Sequence, residues 1–239
     1  MQLDMAGVAD RSRALDAVLA ERHSCRSFRD GALPVELIDE IIASAAQAPS
    51  WCNTQPWQVV VLSGSAVESF RHELYAAAET DPHAVSFEAG APRYVGQSLA
   101  RRRAAGWALY EAVGAAPGDR AATARQALEN FRFFGAPHVA IVSADASLGA
   151  YGLVDCGGFV SLLLAAAQAR GVGSIAQAAV VSRPEMVRRH TGIPADRTLV
   201  CGIALGWPDR DHPANSFRTD RASLDELRVH RGSPPEETR

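Results

Sequence analysis

Cysteine is scarce in this chain of 239 residues, and what there is lies scattered. Cys25, Cys52, Cys156 and Cys201 form no CxxC pair, which speaks against structural zinc and against a disulfide framework. One reading makes Cys25 or Cys52 a catalytic thiol; the commoner use of such a residue is as small, half-buried filler. The seven histidines include no HExxH pair and no grouping with ligand spacing, so no metal is expected. A charge excess is missing as well, since 24 basic and 27 acidic residues leave a net −3. That excludes nucleic-acid binding through bulk electrostatics, and the basic run Arg101-Arg102-Arg103 reads as a solvated face. No apolar run reaches membrane length: residues 159–167 make about half a span, bounded by Asp155 and Arg170. Asp4, Asp10 and Asp16 interrupt the first residues, so no leader pattern forms and the cytoplasm is the expected location.

What is present, 47% hydrophobic and 21% charged residues, is ordinary for a globular protein of one substantial domain. Residues 14–21 read as a helix with Leu15, Val18 and Leu19 on one face. Pro34 suits the first turn of a second helix, in which Leu37, Ile38, Ile41, Ile42 and Ala45 follow the 3.6-residue period. The Val-rich run 58–62 predicts a strand buried on both faces, and a helix follows over 65–79. Pro82, Gly90, Pro92, Pro117 and Gly118 punctuate the next region, where 99–113 and 120–134 read as helices. We read 83–134 as a helical excursion serving as a lid or pocket wall. A strand at 139–142 precedes a helix over 151–170 that is apolar nearly all round. Its Gly157-Gly158 pair costs about 1 kcal/mol per glycine relative to alanine, which predicts close approach of another helix or a ligand there. Burial on every side in so small a chain predicts cover from a second subunit. Gly171 ends this helix, a further strand spans 198–205, and 232–239 reads as a disordered tail. Short strands between long helices give an α+β or α/β architecture around one sheet, in a single domain over 1–231.

Two polar stretches interrupt this apolar pattern. Arg22-His23-Ser24-Cys25-Arg26 offers two guanidinium forks and a hydroxyl at alternate positions, which suits a phosphate. The stretch from Pro49 to Trp57 holds Ser50, Asn53 and Gln55 in a proline-stiffened loop flanked by Trp51 and Trp57. Amides both donate and accept, as the edge of a polar heterocycle requires. A phosphate at one end and a polar ring at the other describe a nucleotide-like cofactor. Taken singly, each stretch is equally a solvated helix end or a turn.

Taken together with Gly135-Ala136-Pro137, Tyr151-Gly152, Gly171-Val172-Gly173-Ser174 and Gly206-Trp207-Pro208, the two stretches resemble the FMN-dependent nitroreductase family over about residues 14–227. The resemblance implies an α+β (α/β sandwich) fold, a central mixed β-sheet flanked by helices, in an intertwined homodimer with FMN at the interface. It implies that Arg22 and Ser24 hold the phosphate end, with the His23 main chain between them and Arg26 toward the N1/O2 side of the ring. Arg221, with Arg218 before it, completes the phosphate site. Pro49, Ser50, Asn53 and Gln55 are implied to reach the FMN held mainly by the partner. Main-chain groups at Ala176, Gln177 and Ala178 are implied to approach the N5/O4 side, where the enteric pattern has acidic and glycine residues instead.

The implied activity is that of an NAD(P)H oxidoreductase. Hydride passes from NADH or NADPH to flavin N5 and then, by a ping-pong route, to a small nitroaromatic or quinone-like acceptor in an open apolar cleft. No catalytic side chain is required. Phe131, Phe133 and Phe134 are candidates for the cleft wall, with ordinary core packing expected of at least two. Two other readings stay open: a non-catalytic, flavin-sequestering protein, and a family variant with other flavin chemistry such as dehalogenation or heterocycle oxidation.

Overall fold

A computed structural model describes residues 5–232. Four strands, β1 (Trp57–Ser63), β2 (His138–Asp145), β3 (Gly173–Gln177) and β4 (Arg197–Gly206), lie in the order β1-β2-β4-β3. Among the described residues every neighbouring pair is antiparallel, so the sheet of one chain is not the mixed sheet expected. The reason is topological. β2 and β3 point the same way, joined by the long helix α6 described next, but β4 returns between them and is antiparallel to both.

The helices are α1 (Met5–Glu21), α2 (Val35–Ala45), α3 (Ser65–Thr80), α4 (Gly96–Ala112), α5 (Arg120–Leu128), α6 (Gly149–Ala169), α7 (Pro184–Thr191) and α8 (Leu224–Leu227). They cover both faces of the sheet, which confirms the α+β architecture. On one face Ile38 and Ile41 of α2 and Phe159 and Leu163 of α6 pack on Ala140, Val142, Ile203 and Leu205. On the other, Phe70 and Leu74 of α3 and Val187 of α7 pack on Val139, Ile141, Leu199 and Ala204. Successive residues of a strand point to opposite faces, so β2 reads as a continuous apolar run because both of its faces are covered.

The expectation of burial on both faces fails for β1. It is an edge strand with Gln58 exposed, its valines half-buried and only Leu62 fully buried. The helix expected over 120–134 also breaks early. Residues Glu129–Gly135 tighten into a 3-10 turn in which Phe133 and Phe134 adopt left-handed φ values of 55° and 53°. That reversal buries both rings in the core, as expected of two of the three phenylalanines.

Only one stripe of α6 is buried, formed by Gly152, Cys156, Phe159, Leu163 and Ala167. Tyr151 and Val154 are 61% and 68% exposed, and a Cβ built at Gly157 or Gly158 meets nothing within 4 Å. The close approach expected at these glycines is therefore not made within the chain. With its preceding turn the helix is long and apolar enough to cross a membrane, contrary to the reading of residues 159–167 alone. Its stripe on the sheet makes it a core helix. The tail expected at 232–239 lies, after Gly232, outside the described residues.

Candidate functional site

Helix α1 delivers a strap, residues 22–29, that touches β3 at Ser174 and pairs with the segment after β4. The Cys25 N–H donates to Ser174 O at 3.0 Å, the Arg29 N–H to Trp207 O at 2.8 Å, and the Asp209 N–H to Ser27 O at 3.1 Å. Cys25 turns inward against Gly173, where an added Cβ would stand 2.9 Å from its sulfur. Burial pushes its thiol up to about 11, and the thiol donates to Ser27 O. Cys25 is thus inert filler, not a nucleophile. With Cys25 inward, alternation turns Ser24 and Arg26 the other way.

Arg22, His23, Ser24 and Arg26 line a cavity of about 220 Å³, closed on its far side by Phe217, Arg218, Thr219 and Arg221. Among the described residues no carboxylate lines it. The guanidinium groups are held by neutral oxygens: Arg26 Nη1 donates to Ser24 O at 3.2 Å, Arg218 Nη1 to Asn215 O at 2.9 Å, and Arg221 Nη1 to Thr219 O at 2.9 Å. Among the described residues none of these arginines forms an ion pair. Burial, and after it the charge of Arg221, holds Arg22 below its ordinary value; burial does the same to Arg26. The His23 imidazole is lowered by burial and further by Arg218, Arg22 and Arg26, against its hydrogen bond to Glu21 O. Like charges gathered without an acid make a receptor for an anion. Arg26, stacked over Phe217 at 5.4 Å, also borders a larger cavity of about 480 Å³ against Val113, Ala122 and Glu129 of the 83–134 region.

The second polar stretch stands at the opposite edge of the sheet. Pro49 is exposed and leads into a turn where Cys52, Asn53 and Gln55 have φ of 49°, 58° and 46°. Non-glycine residues held there cost about 1–3 kcal/mol each and cluster at functional sites. The turn is held by Trp51 N–H on Asp155 Oδ2 (3.1 Å) and by Arg197 Nη2 on Pro56 O (2.7 Å). Inside it, Gln55 N–H donates to Ser50 Oγ at 2.9 Å and Gln55 Nε2 to Asn53 Oδ1 at 3.2 Å. The outer strands are three spacings, about 14 Å, apart at about 4.8 Å per spacing. One chain therefore does not bring Ser50, Asn53 and Gln55 to the arginines. Ala176 and Ala178 are exposed at the end of β3. Gln177 between them is buried: Nε2 donates to Asn130 O at 3.0 Å, and Oε1 has no partner among the described residues. Sequence pattern assigns no role to Asn215, Phe217 or Thr219; their one signal is their place beside Arg218 and Arg221 after the last strand.

The model of the Nitroreductase family matches residues 19–207, which takes in both polar stretches and all four strands. The chain is 32% identical over 216 residues to a 4-nitrobenzoate reductase of Nocardioides sp. (strain LMS-CY), covering 89% of this chain and 87% of the relative. It is similar in structure to the FMN-dependent nitroreductase NfnB from Mycobacterium smegmatis in complex with NADPH. There the TM-score is 0.85 at 32% identity, over 92% of this chain and 99% of that one. The FMN and NADPH-dependent nitroreductase NfnB of Sphigopyxis sp. strain HMH gives a TM-score of 0.87 at 28% identity, with the same coverage. With the family pattern, the fold and the relatives in agreement, this chain belongs to the nitroreductase family.

Proposed function

We propose that this chain is an FMN-dependent NAD(P)H oxidoreductase reducing nitroaromatic or quinone-like acceptors, and that it works as a homodimer in the cytoplasm. The observation that carries the reading is the acid-free cavity on which Arg22, Arg26, Arg218 and Arg221 converge. A phosphate monoester fits that donor set in charge and in hydrogen-bonding. When bound, FMN supplies two-electron transfer between nicotinamide and acceptor. Arg22, Ser24 and Arg221 hold its phosphate, with Arg218 flanking and the His23 main chain alongside. Arg26 stands between the phosphate cavity and the larger one, where its charge favours a reduced, anionic ring over a neutral one. Residues 113–134 supply one wall of that larger cavity, which is open and lined in part by Asp119, Arg125 and Glu129 and so is not the apolar cleft expected.

The dimer is supported by two features at the β1 side of the chain. Tyr151, Val154 and Trp51 are exposed apolar groups beside the open glycines of α6. The strained turn with Asn53 and Gln55 presents amides at the sheet edge opposite the arginine-lined cavity of its own chain. A second subunit docked there covers the apolar face and sets Pro49, Ser50, Asn53 and Gln55 against the partner's cofactor, close to the main chain at Ala176, Gln177 and Ala178. All four cysteines are free, which suits a reducing cytoplasm.

NADPH and 4-nitrobenzoate are the donor and acceptor to try first, because relatives are an NADPH complex and a 4-nitrobenzoate reductase. The protein is expected to release FMN on denaturation, to bleach anaerobically with NADPH or NADH, and to recover its yellow colour on adding the acceptor. FAD, or no flavin after reconstitution, overturns the cofactor assignment. Flavin that stays oxidised with both donors makes the protein a sequestering one. Light scattering should give about twice the 25.4 kDa chain mass, and a monomer with full FMN affinity refutes the shared site.

A further inference from the structure

Asn215 ends the short 3-10 turn Pro213–Asn215 and is 4% exposed, while Ser216 beside it faces solvent. Its side chain bonds across the site at both ends. Oδ1 accepts from the Arg26 N–H at 2.6 Å, and Nδ2 donates to Ser27 O at 2.9 Å and to Asp209 O at 2.7 Å. Its main-chain carbonyl accepts from Arg218 Nη1 at 2.9 Å. The two carbonyls on one side and the N–H on the other fix which way the amide points. One neutral residue thus joins the strap, the segment after β4 and the guanidinium of Arg218.

We propose that Asn215 is the positioning residue of the anion cavity: it fixes the main chain at Arg26 and the guanidinium of Arg218 in the geometry that receives the phosphate. This rests on the FMN reading above. Among the described residues the Arg26 side chain makes a single hydrogen bond, to Ser24 O, and rests on the Phe217 ring. Its direction is therefore set chiefly by the peptide groups at Arg26 and Ser27, both of which Asn215 clamps. Arg22 and Arg221 repel one another, and His23 senses Arg218, Arg22 and Arg26 together. Such a cluster spreads unless something uncharged holds it. A carboxylate in the same place would neutralise the cavity and face two carbonyl oxygens, whereas an amide does neither. The clamp lets like charges stay gathered before the anion arrives, which is preorganisation.

A purely structural Asn215 predicts a different pattern of mutant coupling, so a double-mutant cycle decides. Apoprotein is titrated with FMN, following quenching of flavin fluorescence, for wild type, Asn215→Leu, Arg26→Ala, Arg22→Ala and the two doubles, with a melting curve for each. Leucine keeps the shape and removes all three side-chain bonds. Asn215→Leu should weaken FMN binding roughly tenfold or more. That loss should shrink below about threefold in the Arg26→Ala background and persist in full in the Arg22→Ala background. If Asn215→Leu does not fold, Asn215→Ser, which introduces no bulk, carries the same cycle. Equal losses in both backgrounds, or Asn215→Leu binding FMN as wild type does while Arg22→Ala loses it, overturn the positioning role alone. Wild-type apoprotein that binds no FMN overturns the reading of the site and this role with it.

Discussion

Replacing Arg22 by alanine separates what this residue does for the cofactor from what it does to the fold. In the apoprotein its half-buried guanidinium faces Arg221, and among the described residues no carboxylate lines the cavity to offset either charge. Its removal deletes a repulsion and a desolvated charge, so the melting temperature of the apoprotein should stay level or rise. With FMN present, the substitution deletes a charge-assisted phosphate bond worth about 1.5–3 kcal/mol, or roughly ten- to hundred-fold in Kd. Under saturating ligand the same energy is lost from the stabilisation that binding confers. At about 2–4 °C per kcal/mol for a chain of this length, the FMN-induced rise in Tm should shrink by roughly 3–12 °C. Thermal melts of apo and FMN-loaded protein, at low and at high salt, read both halves. Salt should weaken binding more in wild type than in the variant, because one screened contact is gone. An apoprotein that melts lower, with an unchanged FMN-induced shift, refutes the assignment and makes Arg22 a structural residue.

Arg26→Ala should keep more flavin than Arg22→Ala but lower its midpoint potential, since a cation near the ring favours the reduced, anionic form; an unchanged potential in an anaerobic redox titration places Arg26 elsewhere. Gly173→Ala sets a methyl 2.9 Å from Cys25 Sγ and 3.0 Å from Pro208 Cβ. It should cost about 1–3 kcal/mol in denaturant unfolding, and Cys25→Ala in the same chain should recover part of that loss; strict additivity of the two sinks the packing argument. Buried His138 accepts from the Leu33 N–H through Nε2 at 2.8 Å and bonds Ser63 Oγ through Nδ1 at 2.6 Å, and burial lowers its pKa. The unfolded chain then takes up the proton first, so this stability is present above about pH 6.5 and is lost as pH falls below it. His138→Gln should flatten that part of the stability profile; a wild type that loses no more than the variant between pH 7 and pH 5.5 refutes the account.

Elements whose burial is decided locally were legible in the sequence. The stripe Ile38, Ile41 and Ala45 of α2 is buried as the 3.6-residue period predicts. Helix α1 begins nine residues before the expected 14–21, because its first turns carry no apolar stripe. The valines of β1 announce a strand but not how many neighbours it has, and an edge place leaves them half-buried. β3 passed for a turn, since Gly173-Ser174 has no strand signature and pairs only through residues far along the chain. α7 went unread although Pro184 opens it and Gly192, with φ of 70°, closes it. In the site, Arg22, Ser24 and Arg26 announced themselves by alternation, and their partners Arg218 and Arg221 through the family pattern. Asn215 was silent, because a buried amide that bonds main chain leaves no periodic trace.

The order β1-β2-β4-β3 has a consequence for synthesis on the ribosome. The strand made last, β4, lies between β2 and β3 and is the neighbour of both. At about 5–20 residues per second, the nascent chain waits roughly 3–12 s between finishing β2 and finishing β4. Throughout that interval β2, apolar on both faces, carries an open inner edge to which another nascent strand can add. Residues 22–29, translated near the start, find their partners at 207–209 only after β4 has emerged. The arginine-lined cavity, whose far wall is residues 217–221, is therefore among the last features to assemble, and FMN cannot rescue a chain that has stalled before residue 206. Failed molecules should be recovered as insoluble aggregate, and added flavin should protect the finished protein without raising the yield of its synthesis.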